Sequence, residues 1–153
     1  MPGSGFPAND APYWKHVRLA PANPGAPTLT HTFTNLSEVL VVNFRVITSA
    51  VAGGRRAQAA LVSSNNGLTS LGVEATGQGP GLNWDYVFQT WAPAQQINSG
   101  IALLLATMGG SAIALPGDTL TLSVLAAQAG DVISGVFITT REFLDNADNT
   151  NVR

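Results

Sequence analysis

Cysteine and long apolar runs are both missing from this 153-residue chain. Without cysteine there can be no disulfides and no thiolate metal sites. The longest apolar run, Ile101–Met108, is far shorter than the roughly 20 residues of a membrane-spanning helix. The first ten residues, MPGSGFPAND, lack the basic start and apolar core of a signal peptide. The sequence therefore predicts neither a disulfide framework nor a membrane segment.

The chain is also poor in charged residues. Charged residues make up 10% of the chain, against about 25% in a typical soluble domain. The net charge of −2 argues against general attraction to nucleic acid. Soluble monomers normally keep a more charged surface. We therefore expect much of the surface to face other protein chains; an unusually neutral monomer is the alternative.

Helical periodicity is also absent, whereas strand signals recur at short intervals. The clearest alternation is in LTLSV, which predicts that Leu120, Leu122 and Val124 share a buried face. A second alternating segment places Leu40, Val42, Phe44 and Val46 on one face of a strand over 38–50. Eight or nine such strands indicate an all-β fold, a sandwich or a barrel. Among these we favour an antiparallel jelly-roll-like β-sandwich with eight strands.

Turn residues divide the predicted strands. Gly53–Gly54 and Asn65–Gly67 each predict a hairpin turn. Residues 93–100 read as a loop. The last strand, over 132–144, is apolar on both faces and is expected in the middle of a sheet.

Proline concentrates at the N-terminus, where residues 1–27 hold six of the nine prolines. Proline fixes φ and removes a backbone donor, so this segment is predicted to be an extended arm. Within it, Tyr13–Ala20 is free of proline and is suited to one strand. We expect an arm over 1–27, a β-sandwich over 28–144 and a polar tail over 145–153. A disordered terminus is the alternative for the arm, and deletion of residues 1–20 is expected to leave the sandwich folded.

Catalytic motifs are missing. His16 and His31 are the only near-neutral bases, and both lie in or beside the arm. Hydrolysis would require a serine beside His31, either Ser63 or Ser64, or a carboxylate pair formed by Glu74 and Asp85. The sequence predicts no enzyme, no cofactor and no catalytic residue. Asp118 and Asp131 each follow a glycine, which favours hydrogen bonding within their turns over a metal site.

Aromatic residues cluster in LNWDYVFQTWA, over 82–92. Trp84, Tyr86 and Phe88 share one face, and we favour burial of these rings in the core. The alternative is a stacking platform for sugars that also uses Trp91, with Asp85 and Gln89 beside it.

The chain contains few arginines, which suggests that they form specific ion pairs. Four of the seven basic residues are Arg45, Arg55, Arg56 and Arg141, and arginine is favoured in interface ion pairs. Together with the aromatic residues of the arm, they give a predicted protein interface: Phe6, Tyr13, Trp14, Arg45, Arg55 and Arg56. Scattered solubilising charge is the alternative for the arginines.

Two stretches carry a resemblance to a known family. The stretch LPGDTLTLSV…AGDVISGVFITTREFL, within Leu115–Leu144, resembles the last two strands of small jelly-roll virion proteins of tailed bacteriophages. The segment VLVVNFRVITSAVAGGRRAQAALVSS resembles their earlier hairpin. The similarity covers roughly residues 37–144 as a pattern of strands and turns rather than a motif.

The resemblance implies a decoration, or cement, protein on the outside of an icosahedral phage capsid. Such a protein binds the major capsid protein and itself; we favour a homotrimer, with a homodimer as the alternative. It is made in the host cytoplasm and has no direct nucleic-acid or membrane partner. The resemblance defines no functional residues that could be carried over. The competing functions are a carbohydrate-binding or receptor-binding module and a jelly-roll coat subunit.

Overall fold

A computed structural model describes residues 13–22, 24–25, 27–63, 67–73, 77–90, 95–99, 101–108 and 112–143. Within these residues the protein has eleven strands and no helix. They are β1 (Tyr13–Leu19), β2 (Thr28–Thr32), β3 (Leu36–Ile47), β4 (Arg56–Ser63), β5 (Gly67–Val73), β6 (Asn83–Thr90), β7 (Gln95–Ser99), β8 (Ile101–Met108), β9 (Ala112–Ala114), β10 (Thr119–Leu125) and β11 (Val132–Phe143). The all-β prediction is confirmed.

Eight of the strands form two packed sheets. The first has the order β1-β11-β3-β6, and the second has the order β2-β10-β4-β5. The pairing is nested, because β1 pairs with the last strand, β2 with the one before it, and β3 and β6 enclose the β4–β5 hairpin. A long hairpin whose successive strand pairs alternate between two sheets is a jelly roll. The predicted eight-stranded arrangement is therefore present.

Three further strands lie between β6 and β10 in the chain. β8 pairs in parallel with β6, and β7 extends the same sheet from β8. β9 pairs with the beginning of β3. The first sheet thus has seven strands, and residues 95–99, which we expected in a loop, form its edge strand β7. Polar QQINS lacks the β-branched and aromatic enrichment of a strand, so only its pairing with β8 identifies it.

The two predicted hairpins have different outcomes. β4 and β5 pair antiparallel on either side of residues 64–66, which confirms the hairpin predicted at Asn65–Gly67. The Gly53–Gly54 prediction is wrong, because β3 and β4 belong to different sheets. Residues 48–55 instead carry the chain from one sheet to the other. Glycine marks a turn in both cases, but only the pairing of the flanking strands makes a hairpin.

The core lies between the sheets and consists of the inward side chains. Leu120, Leu122 and Val124 are buried as predicted. In β3, Val42, Phe44 and Val46 are buried, but Val39 takes the place expected for Leu40. The β3–β11 register skips one residue at Leu40, so alternation shifts there. A β-bulge inserts one unpaired residue and reverses the facing of the strand beyond it.

A second bulge interrupts β11 between Ser134 and Phe137. Gly135 lies there with φ of 58°, in the left-handed region that favours glycine. β11 is otherwise paired on both sides, with β1 and β3, which confirms its predicted place in the middle of a sheet.

β1 lies inside the segment that we predicted to be an arm. It is the edge strand of the first sheet and pairs over seven residues with β11. The boundary predicted at residue 28 stays a prediction, but deletion of residues 1–20 would remove a jelly-roll strand. A deletion that tests the arm alone must therefore end at residue 12.

Candidate interaction surface

The outward face of β1 carries three exposed side chains, Trp14, His16 and Arg18. They alternate with Lys15, Val17 and Leu19, which point toward the other sheet and are partly buried. Val17 and Leu19 pack against the core. Trp14 is 65% exposed, the largest value among the exposed large hydrophobic residues of the described chain. Because Trp14, His16 and Arg18 are two residues apart, they form one row along the sheet edge.

Phe137 of β11 supports this row from the neighbouring strand. The His16 ring stacks on the Phe137 ring with 5.2 Å between centroids and 17° between planes. The Arg18 guanidinium carbon lies 5.7 Å from the same centroid, within range of a cation–π contact. His16 Nδ1 and Thr139 Oγ1 are 3.2 Å apart. His16 and Arg18 are therefore held in place by contacts with side chains of β11.

Beside Arg18 the surface is concave. A depression of about 300 Å³ is lined by Arg18, Leu19, Gly135, Val136 and Phe137. The glycine bulge contributes part of its wall.

Glu142 fastens the beginning of β1 to the body. Its side chain is 1% exposed and forms an ion pair with Lys15 Nζ at 2.8 Å. The Tyr13 hydroxyl donates a hydrogen bond to the Glu142 carboxylate, and Asn35 Nδ2 donates a second one at 3.0 Å. Burial alone would raise the pKa of Glu142, but hydrogen bonds from Lys15, Tyr13 and Asn35 together lower it. These bonds hold Tyr13 and Lys15 inward and leave Trp14 outward.

Ion pairs within the chain use most of the described cations. Four pairs are present: Lys15–Glu142, Arg45–Asp85, Arg55–Asp131 and Arg141–Glu38. Arg18 and Arg56 form no ion pair with a described carboxylate. Since Arg18 also lies in the exposed row of β1, its charge is available for contact with another protein chain.

A second polar cluster lies at one end of the sandwich. Arg55 and Asp131 are both fully buried and paired, with Arg55 Nε 2.9 Å from Asp131 Oδ2. Arg55 also donates to the Gly53 carbonyl at 2.6 Å and to Ser49 Oγ at 3.1 Å. The backbone N–H groups of Ser49 and Gln128 donate to Asp131 at 2.8 and 2.7 Å. The cluster ties the connection after β3 to the turn before β11.

The Asp131 carboxylate is held in its charged form. Burial would raise its pKa, but hydrogen bonds from Arg55, Gln128 and Ser49 outweigh burial and lower it to about 2. Gln78 extends the polar network: its backbone pairs with that of Arg55, and its side-chain oxygen accepts from Tyr86 Oη at 2.9 Å. All of these groups satisfy one another, so the cluster stabilises the fold and offers nothing to a ligand.

The predicted interface residues fall in different places. Tyr13 and Trp14 are adjacent on β1 but point to opposite faces, with Tyr13 bonded to the buried Glu142 and Trp14 facing outward. Arg45 lies on the outward face of β3, bonded twice to Asp85 at 2.8 Å. Arg55 is buried and bonded to Asp131, so it presents no surface to a partner; this corrects its predicted role. Arg56 is exposed on β4, in the other sheet. Phe6 lies outside the described residues.

The other candidate residues are explained by packing and turns. Tyr86 and Phe88 are 1% and 0% exposed, and Trp84 packs against the same core, which confirms the core interpretation of this face. Trp91 and Glu74 lie outside the described residues. Asp118 accepts from the Leu115 N–H at 2.9 Å, and Asp131 accepts from Gln128, as predicted for aspartate in turns. The described part of the chain holds no group of three or more side chains suited to bind a metal ion.

Sequence reasoning missed Arg18, His16 and Phe137 as interface candidates. The signal for the first two was available in YWKHVRL, where polar and aromatic residues alternate with Val17 and Leu19 at period two. Phe137 had no signal, because its contact with β1 depends on pairing across 119 residues of chain (137 − 18).

The described part of the chain contains no helix with the length and apolar character of a membrane span.

Comparisons with known proteins give fold similarities at a low level. A subviral particle of infectious bursal disease virus VP2 matches with a TM-score of 0.37 and 17% identity, over 93% of this chain and 37% of that one. Structures of the infectious bursal disease virus Gt and Gx strains match with TM-scores of 0.33 and 0.32, at 15% and 12% identity. These two matches cover 95% and 96% of this chain, and 43% and 42% of the other chains. The protein thus spans about two fifths of the length of the chains it matches, and likeness at this level does not assign a function. No family model and no curated protein matches the sequence.

Proposed function

We propose that the protein is a capsid decoration, or cement, subunit that binds the outside of an icosahedral phage head. It acts through contacts with the major capsid protein and with itself, and it stabilises the shell against internal pressure. Its place is the exterior of the virion, after synthesis in the host cytoplasm. It carries no enzymatic activity, no cofactor and no nucleic-acid or membrane partner.

The observation that carries the proposal is the apolar surface of a jelly roll in which most cations are already paired internally. Among the residues that the structure describes, ten large hydrophobic side chains are exposed by a third or more. Those above 40% are Trp14, Val51, Leu82, Ile113 and Leu115. In a chain with 10% charged residues, these side chains add to a neutral surface that association with other chains would bury. The resemblance of Leu115–Leu144 to phage virion proteins then supports a shell as the partner.

Binding to heads tests the proposal directly. Heads assembled from the major capsid protein encoded in the same genome are mixed with the purified chain and sedimented. We expect co-sedimentation in a fixed ratio to the major capsid protein, and heads that melt at a higher temperature when decorated. An intact chain that stays in the supernatant at micromolar concentrations would overturn the proposal.

The predicted arm is tested in the same assay. A chain without residues 1–12 retains β1 and therefore the jelly roll, but it lacks Phe6. We expect this deletion to weaken head binding, whereas removal of residues 145–153 serves as a control of similar length. Equal binding by both deletions would remove the arm from the proposal and leave decoration standing.

The two alternatives predict different results. A coat subunit would assemble into closed particles by itself, without a second protein. A sugar-binding module would bind glycans, but Tyr86 and Phe88 are buried and Trp84 packs on the core, which removes most of the predicted stacking platform.

A further inference from the structure

One edge of the seven-stranded sheet is β1, and no described strand pairs with its free side. Such an edge presents backbone N–H and C=O groups that can accept another strand. Pro12 and Pro21 flank it, and proline has no N–H to donate. The segment available for pairing is therefore limited to about Tyr13–Ala20, with β1 itself centred on His16.

The outward row of β1 is complementary to itself when two copies run antiparallel. If His16 lies opposite His16 of a second copy, each Trp14 lies opposite an Arg18. An exposed indole and an exposed guanidinium then meet on the same face at both ends of the pair, which is a cation–π geometry. Arg18 already lies over Phe137, so its guanidinium would be held between two rings.

We propose that β1 is a two-fold interface, where two copies of the protein pair antiparallel about His16 and join their seven-stranded sheets. Of the two oligomers left open by the sequence, this interface builds the dimer, because antiparallel pairing of identical strands is two-fold. The outward faces of both copies would lie on the same side of the joined sheet.

The match between Trp14 and Arg18 favours a second copy over other occupants. β1 contains Lys15, His16 and Arg18 and no acidic residue, and like charges on paired strands oppose self-pairing. Lys15, however, is neutralised by Glu142 at 2.8 Å, and in this register Arg18 faces Trp14 and not another cation. An acidic strand from a different protein would satisfy Arg18 but would leave Trp14 without a matched partner.

Two substitutions of Trp14 separate this interface from simple hydrophobic association. Both Trp14→Lys and Trp14→Glu remove the indole, which is 65% exposed, so neither is expected to unfold the chain. Trp14→Lys places an ammonium group opposite Arg18 at both ends, and we expect the dimer to weaken at least about tenfold. Trp14→Glu places a carboxylate opposite Arg18, and we expect dimerisation close to that of the unaltered chain. Molar mass against concentration, by sedimentation equilibrium, measures both.

A charge exchange and a matched arginine complete the test. Trp14→Lys combined with Arg18→Glu restores opposite charges at both ends and is expected to restore the dimer. Arg56→Glu, at the other exposed arginine without a described ion pair, is expected to leave the mass unchanged. A monomer or trimer of the unaltered chain, or equal loss with Trp14→Lys and Trp14→Glu, would overturn the interface, as would a monomer that binds only an acidic peptide.

This inference goes beyond decoration and can fail separately from it. A monomer that co-sediments with heads would overturn the β1 interface and leave the proposed function intact. A dimer that binds no heads would support the interface and overturn the proposed function.

Discussion

Two regions of the molecule use arginine in opposite ways. After β3, Arg55 is fully buried, and its guanidinium donates to Asp131, Ser49 and the Gly53 carbonyl. At the β1 edge, Arg18 is exposed, rests on Phe137 and forms no ion pair with a described carboxylate. The same residue type therefore closes the fold in one place and leaves a contact open in the other.

The difference follows from what surrounds each guanidinium. Burial of a charge is costly unless it is paired and hydrogen-bonded, so Arg55 requires its complete set of partners. Arg18 keeps water on one side and needs only the face of an aromatic ring. Substitutions at the first cluster should therefore change stability, and substitutions at the second should change association.

The largest effect is expected for Arg55→Ala. The substitution leaves Asp131 buried without its cation, and loss of one partner of a buried pair costs about 3–5 kcal/mol of unfolding free energy. Denaturant titration followed by tryptophan fluorescence measures it. Arg45→Ala breaks the exposed pair with Asp85 and serves as the control, with a loss of about 1 kcal/mol or less. Equal losses in the two variants would contradict the contrast between the regions.

Acid should destabilise the protein through the buried carboxylates. The pKa of Asp131 is about 2 in the folded protein against an ordinary value of 3.8. A lowered pKa contributes stability that is fully present above pH 4 and is lost as the pH falls toward 2. The difference corresponds to about 2 kcal/mol of unfolding free energy, and the lowered pKa of Glu142 acts in the same direction.

Unfolding free energies measured from pH 6 down to pH 2 test this expectation. In Glu142→Gln the part due to Glu142 disappears and the part due to Asp131 remains. A pH-independent unfolding free energy in the unaltered chain would show that neither carboxylate is held as described.

The smallest effect on stability is expected for Trp14→Ala. Because the indole is 65% exposed, the unfolding free energy should change by no more than about 0.5 kcal/mol. The same variant should lose dimerisation, which sharpens the comparison with Arg55. Loss of more than about 2 kcal/mol would place Trp14 among the residues that hold the fold.

Prediction from sequence succeeded where local alternation is strong. LTLSV gave the buried face of β10 directly, and the placement of Tyr86 and Phe88 in the core followed from period two. It failed at Leu40 and at Gly53–Gly54. A bulge and a change of sheet are decided by the partner strand, and the partner of β3 lies about 100 residues away at β11.

The interface residues divide in the same way. Tyr13 and Trp14 could be recognised as interface candidates from sequence, because flexible linkers seldom contain large aromatic residues. Arg55 was misplaced because a buried arginine and an exposed one look alike in sequence. Only the distant Asp131, which ends the turn before β11, separates Arg55 from Arg18.

The amino-acid sequence by itself determined that this protein is all-β and poor in charge, because composition and period-two alternation are local properties. Tertiary structure alone decided the nested pairing of strands, the burial of Arg55 and the exposure of the Trp14–His16–Arg18 row. Each of these depends on contacts between residues far apart in the chain. A local sequence pattern does not specify which distant residues make those contacts.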